Sequence, residues 1–202
     1  MNKLIIYLFF ISTLYIFSAT MCKEQPKKRE EGVISPSANA IHQTNQSAEK
    51  LFERLMASFS DDWMEREADP NLYPAYYGGS FIDNEGVFVI TVTGNSGEHK
   101  KQLSEVLGTD NFNIETVQYS YRQMMEVMDK IDIFLMNSTV PEDHPLMSSF
   151  AGAYPEVTEN RVKVLLTQVD EPTIRLFRKD IINSPLIIFE QGNLPDWNQP
   201  EQ

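Results

Sequence analysis

A single cysteine, Cys22, and three histidines, His42, His99 and His144, are all that this 202-residue chain has of the residues that most often carry covalent or metal chemistry. One cysteine excludes an intramolecular disulfide and leaves no cysteine set for a metal. There is no phosphate-binding glycine loop, no dinucleotide-type glycine pattern, no His-Glu-x-x-His and no basic strip interleaved with aromatics. Cations are scarce as well, with 17 Lys and Arg against 29 Asp and Glu and a net charge of −12. That deficit disfavours nucleic acid and anionic lipid surfaces, whose affinity depends on Lys and Arg. Carboxylates are so common that a neighbouring pair says nothing about acid–base chemistry. No cofactor and no metal are expected.

What is present begins with an export pattern. Lys3 precedes an almost unbroken apolar run, Leu4–Phe17, which gives way to Ser18, Ala19, Thr20 and then Met21-Cys22. A positive start, an apolar core of this length and a small-residue exit describe a signal peptide, here residues 1–22. The run is short for a spanning helix, which needs about 20 apolar residues. A lone thiol at the end of such a signal reads as the lipid-bearing cysteine of a lipoprotein. Met21 is unusual before that cysteine and Leu is missing three positions back, so ordinary cleavage to a soluble secreted product is the alternative. Residues 23–46 are polar, with Lys27-Lys28-Arg29-Glu30-Glu31 followed by Pro, Ser, Asn and Gln, and read as a flexible tether. His42 falls there as a bystander.

The globular part, 47–191, has the length of one domain. Leu51, Phe52, Leu55, Met56 and Phe59 fall at helical spacing behind Ser47, a plausible N-cap. Asp61, Asp62, Glu65 and Glu67 read as a solvated acidic helix end rather than a cation site. The chain is organised around Tyr73–Thr93. There an aromatic cluster leads into Gly78-Gly79, a strand Ser80–Ile82, the turn Asp83-Asn84-Glu85-Gly86 and a return strand Val87–Thr93. A short helix ends at Gly108, and Phe112–Tyr119 alternates as a strand. Ser120-Tyr-Arg-Gln123 is a capping box opening the longest amphipathic pattern, with Met124, Met125, Met128, Ile131 and Leu135 on one face through Asn137. Its methionines read as core, with a Met-lined groove as the alternative.

A second hairpin starts near Gly152, with Val162, Val164 and Leu166 alternating against Lys163, Leu165 and Thr167. Asp170-Glu171-Pro172 starts a helix with Ile174, Phe177 and Ile181 as its buried stripe. Leu186–Phe189 reads as an apolar central strand. Both halves therefore read strand–turn–strand–helix–strand, Ser80–Tyr119 and Ala153–Phe189, with the long helix between them. The expected fold is α+β: two ββαβ-like repeats, an antiparallel or mixed sheet, and helices packed on one face. Val162 and Val164 are expected to match Val87 and Val89. Residues 192–202 form an extended tail in which Leu194 and Trp197 are the large apolar groups.

Two stretches invite a catalytic reading. Gly94-Asn95-Ser96-Gly97 is similar to the nucleophile surroundings of trypsin-like proteases, but the three histidines lack the order and spacing of a triad. Glu142-Asp143-His144 sits in a Pro-bounded loop, where a histidine beside two acids is ordinarily solvated. A turn feeding a helix accounts for the first stretch, so a non-enzyme is expected.

The passage Tyr73, Tyr76, Tyr77, Gly78-Gly79-Ser80-Phe81-Ile82-Asp83-Asn84-Glu85-Gly86 and its strand resembles the pro-segments of bacterial trypsin-like serine peptidases of the streptogrisin and α-lytic protease type. Tyr119-Ser120-Tyr121, Met128-Asp129-Lys130-Ile131, Asn160-Arg161-Val162-Lys163-Val164, Phe177-Arg178 and Ser184–Glu190 continue the likeness, over Tyr73–Gln191. No peptidase domain follows within this sequence, so a free-standing relative is expected and protease activity is not carried over. The resemblance implies an α+β fold and an ability to bind a secreted serine protease or assist its folding. Leu194 and Trp197 are the expected partner anchors, Cys22 the expected lipid site and the only tie to a membrane. The alternative is an envelope adaptor without a protease partner.

Overall fold

The computed structural model describes the backbone of residues 36–194 and the side chains of residues 47–194. The expectations at Cys22 and Trp197, and any statement about the His42 side chain, lie outside the described residues. Helix α1 spans Pro36–Phe59, so Ser47 sits inside it rather than capping it. Its buried stripe, Ala48, Leu51, Leu55 and Met56, repeats at helical spacing and packs on the first sheet. Phe52 points partly to water, although its ring still meets Phe88 edge-on at 6.4 Å.

Helix α2, Trp63–Ala68, is capped by Asp62, whose carboxylate accepts from the Met64 and Glu65 amides. Two further acids beside it have partners: Ser60 donates to Glu65, and the Tyr73 hydroxyl donates to Glu67. Among the described residues no cluster of His, Cys, Asp or Glu has the geometry of a metal site.

Strands β1, Tyr77–Ile82, and β2, Phe88–Val92, form the first hairpin, and Gly86 supplies the positive φ of 82° that its turn requires. Helix α3, Ser96–Leu107, starts on the Asn95 side chain and stops at Gly108, which is left-handed at φ 67°. It leads to β3, Asn113–Thr116, which lies parallel to β2. Helix α4, Tyr121–Leu135, opens with the predicted capping box of Ser120 and Gln123. A short helix α5, Pro145–Ser149, runs into β4, Phe150–Glu156, which pairs with β5, Arg161–Leu166. Helix α6, Glu171–Asp180, begins on Asp170 and returns the chain to β6, Ile187–Gln191, parallel to β5.

There are thus two separate three-stranded mixed sheets, in the orders β1-β2-β3 and β4-β5-β6. The ββαβ repeat stands as expected, but β6 is an edge strand, not a central one. Its apolar residues follow from one face packing on the second core, where Ile187 and Phe189 lie. The register also moves the expected equivalence by one residue. Ile82 faces Phe88 and Pro155 faces Val162, so Val162 and Val164 match Phe88 and Ile90 rather than Val87 and Val89. A one-residue slip exchanges the two faces of a strand, and only this register puts the matching residues in their cores.

The first core gathers α1, β2 and α3 around Leu55, Phe88, Ile90, Val92, Leu103 and Leu107. The second gathers α4, β5 and α6 around Met124, Val127, Ile131, Val164, Leu166 and Phe177. The α4 methionines are therefore core in the main, with Met124 and Met125 buried and Met128 half-buried. Val127, off the predicted stripe, is buried as well, whereas Met136 past the helix end is exposed.

Candidate partner-binding surface

Each hairpin carries a bulge at the same point of its first strand, between Tyr77 and Gly79 in the first half and between Phe150 and Gly152 in the second. The pairing that follows matches Gly78 with Ala151, Gly79 with Gly152 and Phe81 with Tyr154. The match extends past the strands. Val117 donates to Val92 O and Gly192 donates to Leu166 O, both at 2.9 Å, so Val117 and Gly192 hold equivalent places. The two places are packed in opposite ways. A Cβ at Gly78 would lie 2.5 Å from Val117 Cγ2, while a Cβ at Gly192 would lie 3.3 Å from Ala151 Cβ and 2.8 Å from Leu165 Cβ. Where one half has a small residue on β1 and a large one after β3, the other has its glycine after β6.

The faces turned away from the two cores differ more. On the first sheet this face is covered by the second half. Val157, in the β4–β5 turn, sits where a Gly79 side chain would be, 2.5 Å from the ideal Cβ, and Gly79 itself is at φ 125°. Val89 and Thr91 are buried beneath, and the Thr91 hydroxyl donates to Gly79 O at 3.1 Å. The same turn ties back to the junction between the halves through Asn160 and Tyr119.

On the second sheet the corresponding face carries Gly152, Tyr154, Lys163, Leu165, Ile188 and Glu190, placed by the register opposite to the core residues. A Cβ at Gly152 would meet, among the described residues, only Leu165 Cδ1 at 3.9 Å. Tyr154 is 40% exposed, and Leu165 and Ile188 are half-buried. Lys163 lies between Glu159 at 2.7 Å and Glu190 at 3.1 Å. The hydrogen bonds to Glu159 and then Glu190 hold its ammonium above the ordinary lysine range. The face thus presents an apolar strip with an internally neutralised cation and a rim of acids, Glu156, Glu159 and Glu190.

Beside it, β6 has only β5 as a neighbour, so the hydrogen-bonding groups on its other side have no strand partner among the described residues. The chain leaves this edge at Gly192, and Leu194 is 50% exposed. Of the two expected anchors, Leu194 is therefore accessible at the end of the described chain, and Trp197 lies outside it. The apolar strip on the second sheet was not anticipated from sequence. Its signal was Leu165, an apolar residue on the wrong phase of the Val162–Leu166 alternation.

The stretches weighed for catalysis are placed otherwise. Gly94 is at φ 83°, Asn95 caps α3, Ser96 is the first residue of that helix, and the His99 ring stacks on Tyr76 at 4.1 Å. His144 is not a solvated loop histidine: its side chain is 18% exposed and contacts Asp180 at 3.2 Å.

Paired ββαβ units, each with its own core and with a bulged hairpin at its head, define a tandem pro-segment-like α+β module. Residues 36–117 match the family of Pro-like N-terminal domains and residues 122–192 the family of Pro-like C-terminal domains, which marks a pro-segment-like region. These are domains of the pro-segment type rather than catalytic peptidase domains. The first match starts with α1 at residue 36, upstream of the domain start expected at 47, and the gap between the matches falls at Gln118–Tyr121. No curated protein matches the sequence. Among the described residues no helix is long and apolar enough to cross a membrane.

Proposed function

We propose that this chain is an exported, lipid-anchored binding module without catalytic activity, which holds a trypsin-like serine protease non-covalently as inhibitor or folding assistant. The reading rests on the matches to Pro-like domain families together with one observation. The outer face of the second sheet lacks, among the described residues, the cover that Val157 gives its counterpart on the first at Gly79. A partner surface with an apolar projection beside basic groups complements the strip of Tyr154, Leu165 and Ile188 and its acidic rim. Leu194 and Trp197 extend that contact beyond β6, with Pro195 and Pro200 limiting the entropy lost when the tail docks. Isolated aromatics such as Trp197 often dominate an interface. Cys22 is the lipid site in this reading, and the segment before Pro36 spaces the module from the membrane.

The test is titration of the chain from Pro36 onward against secreted serine proteases from its own source, in parallel with a version ending at Gln191. Inhibition or complex formation at about micromolar concentration, weakened in the shorter version, is expected. Undiminished proteolysis with no complex by gel filtration or calorimetry would remove the protease reading and leave an envelope adaptor. Mass spectrometry of the mature N-terminus tests the anchor separately, an unmodified terminus downstream of Cys22 being the adverse outcome.

A further inference from the structure

His144 is tied to three elements at once. Its Nδ1 accepts the Leu146 amide at 3.2 Å and so caps α5, its Nε2 lies 3.2 Å from Asp180 Oδ2 on α6, and its ring meets Phe134 of α4 edge-on at 5.3 Å. A neutral imidazole has one N–H, and an amide donor at Nδ1 requires the lone pair there. The proton therefore sits on Nε2 and is donated to the Asp180 carboxylate. Pro145, the first residue of α5, has no N–H, and Met147 donates to His144 O at 2.8 Å. The Leu146 amide is thus the first-turn donor that depends on the histidine ring. Leu146 is 1% exposed and belongs to the second core.

Protonation of His144 adds a hydrogen at Nδ1, facing the Leu146 N–H, while the charge strengthens the contact with Asp180. The charged group in contact with the ring is Asp180, whose other oxygen meets Lys179 Nζ at 3.3 Å, and Glu142 and Asp143 precede the histidine in the chain. On its other side α4 presents the Phe134 ring. We propose that His144 is an acid-operated latch: neutral, it holds α5 closed over the second core, and protonated, it stays on Asp180 and lets the first turn of α5 open. The opening starts at Leu146 and spreads toward Met147. The second sheet is kept by the Thr167 amide donating to Ser149 O at 2.8 Å and by the β4–β5 ladder.

Amide hydrogen exchange on the whole folded chain, followed by NMR and corrected for the intrinsic pH dependence of exchange, tests the latch. Three proteins are compared at about pH 7.5 and about pH 5, which bracket ordinary histidine titration. In the wild type, protection of Leu146 falls about fivefold or more on acidification, the equivalent of one lost cap. His144→Asn, which caps without titrating, stays protected at both pH values, and His144→Ala is unprotected at both. Equal protection of the wild type at both pH values overturns the proposal. So does acid loosening of His144→Asn, which would assign the effect to another group.

Discussion

The side-chain amide of Asn160 brackets the backbone of Tyr119, accepting from its N–H and donating to its carbonyl, both at 2.8 Å. One residue of the β4–β5 turn thus replaces a strand partner for the peptide that joins the two halves. Asn160 is left-handed at φ 52° and 6% exposed, and Arg161 lies over the Tyr119 ring at 4.9 Å. Asparagine suits the place twice over: it tolerates positive φ and it offers a donor and an acceptor in one plane.

Asn160→Ala loses both bonds, leaves a buried N–H and C=O without partners and places an alanine at positive φ. The expected cost is about 2–4 kcal/mol, read as a lowered midpoint in urea. Asn160→Gly keeps the backbone conformation and loses the same bonds, so the difference between the two variants isolates the conformational part.

Gly79 and Gly152 hold equivalent places but differ in what replaces them. Gly79→Ala meets Val157 at 2.5 Å and forces alanine to a φ of 125°, so it is expected to cost about 2–4 kcal/mol or to prevent folding. Gly152→Ala meets Leu165 Cδ1 at 3.9 Å with no positive φ and is expected to fall within about 1 kcal/mol of the wild type. Thermal unfolding of both variants decides it, and equal losses would mean that the two faces are covered alike.

Phe177 is fully buried in the second core, with its ring edge-on to Phe189 at 5.1 Å, whereas Met128 is half-buried. Phe177→Ala is expected to cost about 3–5 kcal/mol and Met128→Ala less, about 1–2 kcal/mol, because less surface returns to water. Chemical denaturation of each single variant measures both.

Residues whose neighbours are local were legible in the sequence. The Ser120–Gln123 box, the helix start at Asp170-Glu171-Pro172, Gly86 in its turn and Gly108 at its helix end all depend on backbone a few residues away, and each is found in that role. Where the deciding partner is distant in sequence, local pattern was silent or misleading. Val89 and Thr91 are buried by a turn some seventy residues further on, so β2 reads buried at every residue and offers no alternation from which to set its phase. That is why the Val87 and Val89 match was one residue out. β6 looked central because Leu186–Phe189 is apolar without a break, Ile188 on the outer face included, and strand order is a property of pairing that composition does not hold. Leu165 and Tyr154 could be seen as apolar residues out of phase. Their significance appears only when Val157 is found covering the equivalent face of the other sheet. His144 likewise needed Asp180, which the fold brings to it from the far end of α6.

The tyrosines at the heart of the first half set an alkaline limit on stability. Tyr73 and Tyr77 stack with centroids 5.7 Å apart and an interplanar angle of 7°, and both rings contact Phe59 and Tyr121. Burial, and then the Glu67 charge, pushes the Tyr73 phenol up to about 12, against the smaller opposing effect of Arg66. Burial pushes Tyr77 up further, with the Ser80 hydrogen bond acting against it, and burial raises Tyr76. The unfolded chain ionises these phenols near the ordinary value of about 10, so the folded state alone resists ionisation. The resulting stability is fully present below about pH 10, falls as pH rises above it, and is lost once pH has passed through the folded values, about 12 for Tyr73. Two outcomes follow. In the folded protein, phenolate absorbance from Tyr73, Tyr76 and Tyr77 should be delayed and appear together with unfolding. Tyr77→Phe should move the alkaline unfolding midpoint upward, since it removes one group that gains from ionising in the unfolded state, even though the loss of its hydrogen bond to Ser80 lowers stability at neutral pH. Tyr73, Tyr76 and Tyr77 ionising near pH 10 with the fold intact would show that this cluster is open to water.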